Sequence, residues 1–285
     1  MTTVAEALAA TRGRLPPAEA RLLMGHVLQR PAAWLLAHDD DQLDADALTA
    51  FASFCARRGA GEPVAYLVGT REFYGRSFRV APGVLIPRPE TELLVEQVLA
   101  TLPEPQTARL LDLGTGSGCI AITLALERPQ CEVWATDRSA DALAIAGNNA
   151  QRFGAAVRFA AGDWLAALPA TAGRFDIIVS NPPYIATADP HLALGDLRFE
   201  PAEALASGAD GLDAIRRIIA AAPDYLRPGG WLWLEHGYDQ AEGVAALLQA
   251  TGYVDVSATR DLGGHLRISG GRRTAEPPAD QALPS

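Results

Sequence analysis

The sequence contains no lysine: its 24 basic residues are all arginines, and 34 acidic residues outnumber them to give a net charge of -10. That balance argues against a protein that tracks nucleic acid, because neutralising backbone phosphates needs a concentrated basic face. The densest basic stretches are only pairs, Arg57-Arg58, Arg216-Arg217 and Arg272-Arg273, which read as solvated faces. Cysteine is also scarce. Cys55, Cys119 and Cys131 are odd in number and form no Cys-x-x-Cys pair, so neither a disulfide framework nor a zinc site is implied. The histidines contain no His-x-x-x-His pair, and no Ser/His/Asp order follows a nucleophile elbow, so no metal and no covalent nucleophile is expected. No apolar run approaches the roughly 18 residues of a membrane span, and Met1 to Ala10 lack a basic segment followed by a secretory one. A cytoplasmic protein without membrane contact is the expectation.

What is present divides the 285 residues into unequal parts. Residues 1–70 carry helical periodicity, as in Leu22, Leu23, His26 and Val27, punctuated by Pro16-Pro17, Pro31 and the stretch from Gly59 to Pro63. They read as a small helical bundle, either a stabilising cap or a module that recognises a partner. Residues 71–88 alternate apolar and polar around Gly75 and read as a hairpin linker. From Pro89, placed as a first helical residue, to residue 270, strands and helices alternate. That succession implies an α/β domain with a mostly parallel sheet covered by helices on both faces, whose ligands bind at the carboxyl ends of strands. Residues 271–285 are Pro-rich and polar and read as a disordered tail.

Four successive strand ends carry chemistry. The first is "DLGTGSG", Asp112 to Gly118, where glycines between a strand and a helix let backbone approach a ligand at the helix's positive end. Gly114, Gly116 and Gly118 fall at every second position, which is not the G-x-G-x-x-G dinucleotide spacing, and no G-K-[ST] follows. The second strand ends on Asp137, able to accept both hydroxyls of a ribose. The third ends on "GDW", where Asp163 offers an acceptor for an exocyclic amine and Trp164 an apolar surface for a purine. Singly, the glycine turn could be a tight connection and each aspartate a helix cap. In register, Gly114, Thr115, Gly116, Ser117, Gly118, Asp137, Asp163 and Trp164 point to an adenosine-containing cofactor.

The fourth strand end is "FDIIVSNPPYIA", residues 175–186. Ile177, Ile178 and Val179 form the apolar run of a strand covered on both faces, and Asn-Pro is an ordinary terminator. Termination does not account for Asn181 and Tyr184. "DLGTGSG" followed by "NPPY" resembles the class I S-adenosylmethionine-dependent methyltransferases that methylate a planar nitrogen, a motif shared by adenine-N6 and glutamine methyltransferases. "IPRPETELLV", "SNPPYI", "DPHLALGDLRFEPAEAL", "LEHG" and "RDLGGHLRI" together resemble the HemK/PrmC family of release factor glutamine methyltransferases, over nearly the whole chain up to Gly270.

The resemblance implies a Rossmann-like, seven-stranded methyltransferase domain behind a helical recognition domain. It implies S-adenosyl-L-methionine as cofactor and, as substrate, the glutamine of the GGQ motif in class 1 peptide chain release factors. It also implies that Arg88, Pro89 and Glu90 of "IPRPET" and the segment after Tyr184 shape the substrate site. An amide nitrogen is a poor nucleophile, so it must be oriented. Asn181 and the Pro182 carbonyl would each accept one amide hydrogen, Pro183 would stiffen the turn, and Tyr184 would stack on the planar amide and exclude water. Asn181 would thereby border both cofactor and substrate. The competing expectation is an adenine-N6 nucleic-acid methyltransferase, against which stand the acidic balance and the absence of a basic recognition segment.

Overall fold

The computed structural model describes residues 2–102 and 106–274. Five helices come first: α1 (Val4–Ala9), α2 (Pro17–Leu28), α3 (Ala32–Ala37), α4 (Ala45–Gly59) and α5 (Val64–Val68). Prolines set three of their starts. Pro17 opens α2, and Pro31 and Pro63 are the cap residues of α3 and α5, positions that need no backbone N–H. α1 begins with a reciprocal capping box between Thr3 and Glu6, and Asp44 caps α4 by accepting from the Ala47 N–H at 2.7 Å. Val4, Leu23, Met24, Leu35, Phe51 and Leu67 form the bundle's own core. Leu22 remains about half exposed, at 55%, so only one side of α2 is core.

The linker holds a two-stranded hairpin, β1 (Thr70–Phe73) and β2 (Arg76–Arg79). Its turn residues Tyr74 and Gly75 both have positive φ, 52° and 69°, the twist that a two-residue hairpin requires. A 3-10 turn, Pro89–Thr91, then runs into α6 (Glu92–Thr101).

The larger domain continues as β3 (Arg109–Leu113), α7 (Cys119–Glu127), β4 (Glu132–Asp137), α8 (Ala140–Phe153), β5 (Val157–Ala161), β6 (Phe175–Ser180), α9 (Ala202–Leu205), α10 (Asp213–Tyr225), β7 (Leu226–Glu235), α11 (Ala241–Ala250), β8 (Val254–Arg260) and β9 (Leu266–Arg272). The seven strands of this sheet lie in the order β5-β4-β3-β6-β7-β9-β8, with only the β7–β9 and β9–β8 pairs antiparallel. The chain leaves β3 in one direction through β4 and β5, then returns to β6 on the other side. A crevice at the carboxyl ends of β3 and β6 follows from that reversal.

Alternation along β6 sends Ile177 and Val179 to one face and Ile178 to the other, and all three are buried. The first face packs Leu94, Val95 and Val98 of α6 with Ile120 and Leu124 of α7. The second packs Ile215, Ile218 and Ile219 of α10 with Val244 and Leu248 of α11. Helices thus cover both faces, as the alternating pattern predicts.

One boundary differs from expectation. β9 runs to Arg272, two residues into the stretch expected to be disordered, because Gly271 and Arg272 pair with Leu232 and Trp231 of β7. Of that expected tail, residues 275–285 lie outside the described residues. Among the described residues no helix is long and apolar enough to cross a membrane, and no group of His, Cys, Asp and Glu could hold a metal ion.

Candidate active site

A cavity of about 300 Å³ opens at the carboxyl ends of β3, β4, β5 and β6. Gly114, Gly116, Asp137, Asp163, Trp164, Asn181 and Pro183 line it, so seven residues expected to be functional do share one wall. Thr115 and Ser117 are buried beneath it, at 4% and 2% exposure, and Gly118 packs its backbone against Ile122 and Ala146.

The glycine loop is tied down at several points. The N–H groups of Gly114 and Thr115 both donate to the Thr136 carbonyl, at 2.9 and 3.0 Å. Asp112, fully buried one residue before the end of β3, accepts from the Thr115 hydroxyl at 2.6 Å. Burial pushes its pKa up to about 7, although the Thr115 bond pulls the other way. Gly114 adopts φ +72°, and a Cβ there would lie 2.9 Å from Cζ3 of Trp164, so the indole needs a glycine beneath it. Trp164 is itself held at φ 50°, an uncommon backbone conformation for a bulky residue. A Cβ on Gly116 would meet nothing within 4 Å, which leaves open space over that loop.

Asp137 is oriented before any ligand arrives. One carboxylate oxygen accepts from the Gly116 N–H and the other from the Ser139 N–H, both at 2.9 Å. Each oxygen has further lone pairs for hydroxyl donors. Asp163 is engaged differently, since its Oδ2 pairs with Arg217 of α10. An open glycine loop, a pre-oriented carboxylate and an indole face suit an adenosine-containing cofactor in shape and donor set.

The NPPY turn borders the cavity at Asn181 and Pro183 only. Pro182 is buried, and the cavity wall contains neither Pro182 nor Tyr184. Asn181 donates from Nδ2 to the Thr91 hydroxyl at 3.0 Å, which turns Oδ1 away from Thr91. The Tyr184 hydroxyl donates to Oε1 of Glu235 at 3.2 Å, and the Tyr184 carbonyl accepts from Gln240 at 2.9 Å. Burial raises the Tyr184 pKa far above its ordinary range, so the hydroxyl keeps its proton. Glu235, the last residue of β7, is 1% exposed, and burial pushes its pKa up to about 7.

Arg88, Pro89 and Glu90 stand outside the cavity wall. The Arg88 guanidinium pairs with Glu200, whose side chain is fully buried and also accepts from the Ile86 N–H at 2.9 Å. Pro89 and Glu90 are exposed on the 3-10 turn that carries Thr91. The segment after Tyr184, expected to lack regular structure for about 25 residues, contains two 3-10 turns, Pro190–Ala193 and Leu197–Phe199, and the four-residue α9. Its end supplies Pro201, Glu203 and Ser207 to the cavity.

Sequence reasoning missed Thr91, Glu200 and Glu235. Thr91 and Glu235 lie inside the quoted "IPRPET" and "LEHG" stretches, yet a threonine on a turn and a glutamate at a strand end signal no role until folding brings them to Asn181 and Tyr184.

Two family models divide the chain: PrmC N-terminal domain over residues 1–69 and Methyltransferase small domain over residues 89–210. A release factor glutamine methyltransferase of Bordetella pertussis is 58% identical over 257 residues, 90% of this chain and 95% of that protein. The chain belongs to the release factor glutamine methyltransferase family. A second member, from Burkholderia pseudomallei, is 51% identical over 276 residues, 95% of this chain and 96% of its own. The fold of this methyltransferase is also that of the crystal structure of a Pyrococcus furiosus methyltransferase, with a TM-score of 0.54, 20% identity, and coverage of 77% of this chain and 97% of that one.

Proposed function

We propose that this methyltransferase transfers a methyl group from S-adenosyl-L-methionine to the side-chain amide nitrogen of the glutamine in the GGQ motif of class 1 peptide chain release factors. Its relatives' shared name supports the release factor and the glutamine. The observation that carries the chemistry is the orientation of Asn181, whose Nδ2 is spent on Thr91 while the residue borders the cavity of Gly116, Asp137 and Trp164.

The cofactor would be held by Gly114 to Gly118, by Asp137 at the ribose and by Asp163 and Trp164 at the adenine. When bound it supplies an electrophilic methyl on a sulfonium. Asn181 Oδ1 and the Pro182 carbonyl each accept one hydrogen of the substrate amide, so the nitrogen presents its remaining face to the cavity. Those acceptors also stabilise the positive charge that develops on nitrogen. Proline at positions 182 and 183 removes two backbone N–H groups that would compete for them. Tyr184 covers the amide plane and keeps water out. No strong base is needed, because the alkylated nitrogen becomes acidic and its proton leaves to solvent.

In this reading residues 1–70 bind the substrate protein, 71–88 link the domains and the domain from 89 to 272 performs catalysis in the cytoplasm, where translation terminates. Arg88, Pro89, Glu90 and Pro183 shape the substrate's approach. The test is incubation with S-adenosyl-L-methionine and purified release factor, followed by peptide mass spectrometry. A methyl on the GGQ glutamine is the expected result; transfer to a DNA acceptor alone, with none to the release factor, would favour the adenine-N6 alternative.

A further inference from the structure

Glu200 has a fully buried side chain, yet it stands outside the cavity wall and the chemistry proposed above gives it no part. Both of its oxygens serve one short stretch of chain. Oε2 accepts from the Ile86 N–H at 2.9 Å, and Oε1 pairs with the Arg88 guanidinium. Just beyond, the Thr91 N–H donates to the Arg88 carbonyl at 3.1 Å, and the Thr91 hydroxyl accepts from Asn181 Nδ2 at 3.0 Å. Hydrogen bonds therefore run from Glu200 through Arg88 and Thr91 to the residue proposed to hold the substrate amide.

The chain closes the circuit from the other side. The Ile185 N–H, directly after the NPPY turn, donates to the Leu205 carbonyl at 2.9 Å, and the Ser207 N–H donates to the Ile185 carbonyl at 2.9 Å. Leu205 ends α9, the short helix that follows Glu200 and Pro201. Asn181 thus lies on a closed ring that passes through Thr91, Arg88, Glu200 and α9 and returns through Ile185. Side chains make two of its links, Asn181 to Thr91 and Glu200 to the 86–88 stretch.

We infer that Glu200 is a positioning residue for methyl transfer: it fastens the turn that carries Thr91 to the segment that leaves NPPY, and so holds Asn181 from both sides. The inference rests on the role proposed for Asn181. A carboxylate suits the position because it offers an acceptor to each of two donors, and because the guanidinium partners its buried charge. A glutamine there keeps one acceptor for the Ile86 N–H but turns a donor towards Arg88. Arg88, 29% exposed, then finds water instead, and the ring opens at that link. The cavity wall contains none of Thr91, Arg88 and Glu200, so the carboxylate acts through Asn181 and not on the cofactor.

Glu200→Gln is the test. Its kcat for release factor methylation should fall roughly tenfold or more, as expected when a reacting partner is loosened. Cofactor Kd and release factor KM should stay within about twofold of wild type. Thr91→Val opens the ring at its other side-chain link and should cost a similar factor. A ring already open has little more to lose, so the double variant should fall no further than the larger single loss. A glutamate that served stability alone would lower the melting temperature and leave kcat unchanged. Wild-type kcat in Glu200→Gln, a loss carried by KM, or losses that multiply in the double variant would each overturn the inference. Should Glu200→Gln fail to fold, Glu200→Gln combined with Arg88→Met, which leaves no charge unpaired, decides: wild-type kcat in that protein overturns it. Absence of methyl transfer by the wild-type protein would instead defeat the proposed function itself.

Discussion

Arg58, on the last turn of α4, donates to Asp196 Oδ1 at 2.8 Å and to Glu19 of α2 at 2.6 and 2.9 Å. A second arginine, Arg198, reaches back to the Ala60 carbonyl at 2.6 Å. The helical bundle is thereby clasped to the segment that leaves the NPPY turn and ends on the cavity wall at Pro201 and Glu203.

Asp196→Asn should weaken one of these ties, leaving the Arg198 contact, with little effect on folding. The aspartate is 42% exposed, and partly exposed pairs contribute about 0 to 1 kcal/mol. Denaturant unfolding should therefore change little. The KM for release factor should rise, with cofactor Kd unaltered; a steady-state titration of release factor against wild type checks this.

Asn181→Ala removes the acceptor proposed for the substrate amide. Turnover should fall by roughly a hundredfold or more, the scale of losing one oriented electrostatic partner. Near-normal turnover in a single-turnover assay would sink the role given to Asn181.

Asp137→Ala should act on cofactor affinity. Besides any ribose contact, it removes the acceptor for the Gly116 and Ser139 N–H groups that hold the loop. At roughly 1.5 to 3 kcal/mol for a hydrogen bond to a charged group, Kd measured by calorimetry should rise by about tenfold or more. A Kd unchanged from wild type would remove Asp137 from the site.

Stability should carry the signature of two buried carboxyls. In the unfolded chain Asp112 and Glu235 ionise near about pH 4, whereas the folded chain keeps both protons up to about pH 7. Between those values the folded state binds more protons than the unfolded state, so their contribution to stability falls as pH rises. It is fully present below about pH 4 and lost above about pH 7. Asp112→Asn and Glu235→Gln should each gain in melting temperature relative to wild type from about pH 5 to about pH 8. A constant difference across that range would contradict the assignment of burial as the cause.

Much of this protein is determined by local sequence. Prolines and capping residues place the starts of α1 to α5, Tyr74-Gly75 sets the hairpin turn, and the apolar run at 177–179 marks a central strand. The cavity wall is equally legible, because Gly114, Asp163 and Asn181 follow strands, Asp137 ends one, and a parallel sheet aligns strand ends. What only tertiary structure decided is the wiring around Asn181. Thr91 lies 90 residues before it, and Glu235 lies 51 residues after Tyr184, so no periodicity or spacing connects them. The sheet order brings β7 beside β6, and Thr91 on the 3-10 turn before α6 accepts from Asn181 just past the end of β6. Burial at that junction converts an ordinary strand-end glutamate into a group that holds its proton up to about pH 7. Local sequence can mark a turn, but which side chains meet around it depends on which strands the sheet order brings side by side and which groups they bury together.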